Sequence, residues 1–135
     1  MRPFEYFCDF ASGGLFLFFR EGSLMQMSVE DFDCNGAVIK MIGRLDLAGV
    51  QEIDMPLSLI SGRYRKVIID MSEVDFIASL GLRIIITTAR SVANKGGQLV
   101  LASPQPDVAN VLRVSGFDKL IPIESNTDVA RASLA

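Results

Sequence analysis

KVIIDMSEVDFIASLGLRIIITTAR, residues 66–90, decides how the chain folds. Val67, Ile68 and Ile69 form an unbroken β-branched run that ends at Asp70, the pattern of a strand covered on both faces. A central strand is therefore expected, followed by a turn. From Leu80 onward the apolar residues Leu82, Ile85, Ile86, Ala89 and Ala93 recur at helical spacing, whereas Arg83, Thr87, Arg90 and Asn94 fall along another stripe. The period changes at Ser79, which is expected as an exposed N-cap whose hydroxyl accepts from a first-turn amide, with Leu80 at the first helical position.

The flanking sequence supplies the rest of an α/β domain. Downstream, Gly96 and Gly97 give a left-handed stop and residues 98–102 a second buried strand, completing a right-handed βαβ crossover with parallel strands. Ser103 and Pro104 read as the cap and first turn of a helix whose apolar face is Val108, Val111 and Leu112, closed by Gly116. Residues 120–123 read as a short strand that Pro122 assigns to a sheet edge, and Asn126 as the cap of a last helix. Upstream, residues 27–32 and 37–42 are two strands joined by the turn chemistry of Asp33, Asn35 and Gly36. Asp46 then caps a helix with Val50, Ile53, Leu57 and Ile60 on one face, in which Pro56 is expected to cause a kink or break before Gly62 ends the element.

Composition narrows the function. The 135 residues suit one domain, and no stretch approaches the roughly 20 apolar residues of a membrane span. The net charge of −3 argues against a dominant phosphate-binding surface, so no nucleic-acid partner and no stable membrane insertion are expected. Only Cys8 and Cys34 are present, in no CxxC pair, which leaves little for a disulfide framework or a zinc site and suits a reducing cytoplasm. The absence of histidine removes the commonest general base and the commonest transition-metal ligand. A two-carboxylate hydrolase would need a defined pair around a cleft, and no glycine motif fits a phosphate loop. No cofactor, no metal and no catalytic constellation is therefore expected, and the chain is read as a binding protein, not an enzyme.

Residues 1–24 differ from the rest, with six of the nine phenylalanines. Glu5, Asp9 and an apolar burst of only five residues, 15–19, argue against a secretory signal. The segment is read as an irregular, disordered extension or as sequence ahead of a true start at Met25 or Met27, with the domain proper at 25–135. The functional alternative is that its phenylalanines dock on the domain, a partner or a membrane surface.

The candidate site is the helix opening. A serine before a helix is ordinarily just a cap, but a phosphate on Ser79 would meet the positive end of the helix, with Arg83 one turn along the same face. It would also add close to two negative charges to an exposed edge, enough to repel an acidic partner. Leu80 and Ile84, one turn apart, are candidate apolar anchors beside it, and Gly81 permits close approach of another backbone. Asp46 and Asp75 lie near strand ends, where partners of open α/β sheets tend to meet the loops, although caps and turns account for both.

The order of elements, together with GRLDLAG (43–49), VIIDMSEVDFIASLGLR (67–83), KGGQLVLASP (95–104) and VLRVSGFDKLIPI (111–123), resembles the STAS domain of bacterial anti-sigma factor antagonists and of sulfate transporter tails. The resemblance covers about residues 25–134 and implies an α/β fold with a mixed sheet of about five strands and flanking helices. It further implies an antagonist that binds an anti-sigma factor with serine kinase activity, frees the sigma factor, and is weakened by phosphorylation until a serine phosphatase reverses it. Ser79 is the serine here that matches the region of the phosphorylated serine, and Asp46 looks like part of the loop near it that contributes to partner contact. The residues expected to bind the partner are thus Asp46, from this resemblance, and Leu80, Gly81, Arg83 and Ile84, from their positions beside Ser79. Family members often carry an aspartate, two hydroxyl residues and a glycine where this chain has Ala78, Ser79, Leu80 and Gly81. The alternative within the family is a constitutive accessory subunit of a transporter or other complex.

Overall fold

The computed structural model describes residues 5–9, 15–19, 25–33 and 36–134. Seven strands form one sheet in the order β1 to β7: Glu5–Asp9, Leu15–Phe19, Met25–Asp33, Gly36–Leu45, Lys66–Ile77, Gln98–Ala102 and Ile123–Glu124. The first four pair antiparallel, and β4 to β7 run parallel. Five helices connect and flank them: α1 (Leu47–Ser61), α2 (Ser79–Asn94), α3 (Pro106–Val114), α4 (Phe117–Leu120) and α5 (Thr127–Leu134). The five strands β3 to β7 with their helices are the mixed α/β architecture expected for residues 25–135. Where the sequence suggested an irregular extension, β1 and β2 instead continue the sheet beyond β3.

The sheet separates two apolar layers. Met27, Val29, Ile39, Met41, Val67 and Ile69 point to one face, where they pack with Ile53 and Leu57 of α1, Ile85 and Val92 of α2, and Val108 and Leu112 of α3. Val38, Ile68, Val100 and Ala102, the alternate residues, meet Ala130 and Leu134 of α5 on the other. Val67, Ile68 and Ile69 are each 0% exposed, so β5 is the doubly covered central strand that its sequence announced.

Four local expectations change. First, the turn after Asp70 does not form: β5 runs on to Ile77, and its buried residues switch from Val67, Ile69 and Met71 to Val74 and Ile77. Register shifts between Lys40 and Ile42 and between Gly43 and Arg44 show why, since β5 advances one residue more than β4 at each. The polar groups around the first bulge find side-chain partners: Ser72 N–H donates to Asp70 Oδ1 at 3.0 Å, and Gln105 Nε2 donates to the Ser72 carbonyl at 2.9 Å.

Second, α2 is rotated from its expected phase. Gly81, Ile84, Ile85, Thr88 and Val92 are buried, while Leu82, Ile86 and Ala89 pack partly at the flank and Ala93 is exposed. Third, α1 continues through Pro56 without a break in its helical assignment, so proline sacrifices one backbone donor there and not the helix. Fourth, α3 begins at Pro106 with Gln105 as N-cap, because Ser103 sits at φ 55 and cannot serve as the extended cap. The extra short helix α4 moves the edge strand to Ile123–Glu124. Asn126 caps as expected, its Oδ1 accepting from Val129 N–H at 2.8 Å.

Candidate functional site

The carboxyl ends of β4 and β5 carry the residues that the sequence singled out. Leu45 pairs with Ile77, and the Leu45 carbonyl accepts from Ala78 N–H at 2.9 Å, which ties the start of α2 to the end of β4. Asp46 and Ser79 therefore leave the sheet side by side at one end. Ala78, extended at φ −104 and ψ 175, is the N-cap of α2, and its carbonyl accepts from Leu82 N–H at 3.0 Å. Ser79 is consequently the first helical residue and not the cap: the main-chain bond to Leu45 fixes where the helix starts, one residue earlier than the serine pattern implied. Its side chain is exposed and makes no capping bond. The hydroxyl is thus outside the helix-starting machinery and open to solvent.

The predicted partner-binding residues divide between two sides. Leu80 is 38% exposed and Arg83 is exposed, so both belong to the surface around Ser79. Ile84, at 8%, lies in the core and offers no anchor. Gly81 is also buried, and a Cβ there would stand 2.7 Å from the Leu45 carbonyl oxygen and 2.8 Å from Leu45 Cβ. The close backbone approach expected at Gly81 is real, but the backbone it admits is β4 of the same chain.

Asp46 is held from both sides. Its Oδ1 accepts from Gly49 N–H at 2.9 Å, capping α1 as expected, and Oδ2 is 3.4 Å from Arg44 Nε. Gly49 is required for that turn, since a Cβ would fall 2.0 Å from the Arg44 carbonyl oxygen. The Gly49 hydrogen bond, aided by the Arg44 charge and opposed by partial burial, holds the Asp46 carboxyl below its ordinary value. Arg44 also lies over the Phe76 ring, 4.6 Å from its centroid. Asp75, in the second bulge of β5, is exposed.

Three contributors went unread in the sequence: Arg44, Leu47 and Phe76. Leu47 is 57% exposed and Phe76 42%, and with Leu80 they place three large apolar side chains in solvent at the end of the sheet that carries Ser79. Leu47, the first residue of α1, lies ahead of the apolar face that begins at Val50. Phe76 reaches the surface because the bulges reset the alternation of β5. The ensemble is a small surface with an accessible hydroxyl, apolar anchors, one fixed carboxylate and two guanidinium groups. Such a surface suits recognition of another protein. Among the described residues no group of three or more acidic or cysteine side chains is placed to hold a metal.

Comparison with known proteins agrees with this architecture. The chain is 27% identical over 111 residues to BtrV of Bordetella bronchiseptica, which is named as an anti-sigma factor antagonist; the match covers 81% of this chain and 94% of that one. Its fold superposes on the crystal structure of an anti-sigma factor antagonist from Mycobacterium paratuberculosis with a TM-score of 0.75 at 22% identity, covering 82% of this chain and 93% of the other. The Bacillus cell fate determinant SpoIIAA in its phosphorylated form matches with a TM-score of 0.63 at 20% identity, over 79% of this chain and 98% of that chain. Residues 27–130, from the third residue of β3 into α5, match the STAS domain family model, and the chain belongs to that family.

Proposed function

We propose that this protein is an anti-sigma factor antagonist that binds an anti-sigma factor kinase through the surface around Ser79, releases the sigma factor, and is switched by reversible phosphorylation of Ser79. The observation that carries the reading is an exposed hydroxyl at the first position of α2, flanked by exposed Leu47, Phe76 and Leu80. The names of its relatives support the same role. On this reading the chain is the substrate of a kinase and of a serine phosphatase, acts in the cytoplasm, and has no chemistry of its own.

The switch follows from charge and position. A phosphate at the start of α2 would face the positive end of the helix, so the fold would tolerate it. The same phosphate would place close to two negative charges among three exposed apolar side chains and beside Asp46, which penalises a close contact by desolvation and repulsion. The carboxylate of the usual family motif is replaced by Ala78, and the second hydroxyl, next to the glycine, by Leu80, which leaves Ser79 as the one hydroxyl in that motif. Incubation with the cognate anti-sigma factor kinase and ATP, followed by mass-spectrometric mapping, should find phosphate on Ser79. Modification that is absent, or confined to other residues, would overturn the switch.

A further inference from the structure

The opposite end of the sheet carries a second feature. The amino ends of β4, β5 and β6 lie in register there, Gly36 beside Lys66 and Lys66 beside Gln98. Two loops meet over them, the one from α1 to β5 and the one from α2 to β6. They are pressed together: Gln98 N–H donates to the Arg65 carbonyl at 2.8 Å, and a Cβ on Gly97 would fall 2.1 Å from that same oxygen. Between them opens a cleft of about 480 Å³, lined by Arg65, Lys66, Gly96, Gly97, Gln98 and Leu134.

The charge at this cleft runs against that of the chain. Net charge is −3, yet residues 55–69 contain Arg63, Arg65 and Lys66 with no acid, and residues 76–106 contain Arg83, Arg90 and Lys95 with no acid. The folding of α1 and α2 brings the ends of these two acid-free segments together. Lys95, the C-cap of α2, reaches across with its Nζ to donate to the Ser61 carbonyl at the end of α1. Burial and the neighbouring Arg65 charge pull its ammonium below the ordinary lysine range, as like charges held close together do. Arg65 and Lys66 line the cleft itself, Lys66 with an interaction of its own, and Lys95 flanks it beside Gly96 with its ammonium on the Ser61 carbonyl. Among the described residues, none of those lining the cleft is acidic.

We propose that this cleft binds a small ligand carrying two or more oxyanion charges. A compact anion fits better than an extended polyanion, because Arg65 and Lys66 line one recess and the remainder of the chain is net acidic. The Arg65 guanidinium supplies a planar fork suited to phosphate or carboxylate oxygens, and Lys66, next to it in the lining, a point charge. The site is separate from Ser79 by the length of the parallel strands, so it does not depend on the proposed switch.

The test is titration of the isotope-labelled full chain with sodium pyrophosphate and, separately, with citrate, followed by amide NMR at neutral pH. Saturable shifts centred on Gly96, Gly97 and Gln98 are expected, with little movement at Ser79. Arg65→Gln should weaken binding at least tenfold, whereas Arg90→Gln, the same charge change outside the cleft, should alter it less than twofold. Gln98→Glu provides a second variant at an exposed position and should also weaken binding. Pyrophosphate binding identifies phosphate as the preferred group and citrate binding alone identifies carboxylates; either supports the cleft. No saturable shift with either anion, or equal losses in the Arg65 and Arg90 variants, would overturn it. So would binding of a glutamate-rich peptide when neither small anion binds.

Discussion

Leu80 and Gly81 are consecutive residues in the first turn of α2, and they do opposite work. Leu80 stands in solvent beside Ser79, while Gly81 is pressed against the Leu45 carbonyl with no room for a side chain. The same division separates Arg83, outside, from Ile84, inside. A single helical turn thus has one side that fixes the geometry and another that presents it. The inner residues position the serine without being able to touch a partner.

Substitutions should separate the two sides, the largest effects coming from the inner one. Ile84→Ala removes a core side chain and should cost about 2–5 kcal/mol of stability, read from the urea midpoint. Gly81→Val forces atoms into the β4 backbone and should cost about 1–3 kcal/mol, with loss of partner binding that follows the loss of fold. Leu80→Ala should change stability by less than about 0.5 kcal/mol, yet weaken the complex with the anti-sigma factor by about fivefold or more in calorimetry. If Ile84→Ala proved neutral to stability while abolishing binding, the inside and outside assignments would be reversed.

Asp46 gives the smallest and most pH-specific effect. Its folded-state pKa is depressed, so the Gly49 and Arg44 contacts contribute stability that is present above the ordinary carboxylate pKa and lost as pH falls through the folded value. Asp46→Asn should therefore lower the urea midpoint slightly at neutral pH, where the carboxylate contribution is present, and flatten the acid limb of the stability profile below about pH 4, where the parent loses that contribution. An acid limb identical to that of the parent would remove Asp46 from the structural account.

Much of this division was legible in sequence, and the exceptions have physical causes. The β-branched run 67–69 announced a doubly covered strand because both faces of β5 are indeed apolar. The helix after it was legible from its period, but its phase was not. Ile84 and Gly81 become the inner stripe only because Ala78 N–H bonds to Leu45, a long-range contact that starts the helix one residue before the expected point. Ser79 kept its predicted exposure and lost its predicted capping role for the same reason. Phe76 stayed hidden because two bulges in β5 break the alternation from which strand faces are read. The strands β1 and β2 were missed because an aromatic-rich composition carries little periodic signal, and pairing with β3 is decided by tertiary contact.

The central claim is that the outer side of this turn is a charge-controlled contact surface, and affinity for the anti-sigma factor kinase tests it most directly. Calorimetric titration should show Ser79→Asp, with its fold verified by thermal melting, binding at least tenfold more weakly than the parent, a difference of about 1.4 kcal/mol. Equal affinity of the two proteins would contradict it.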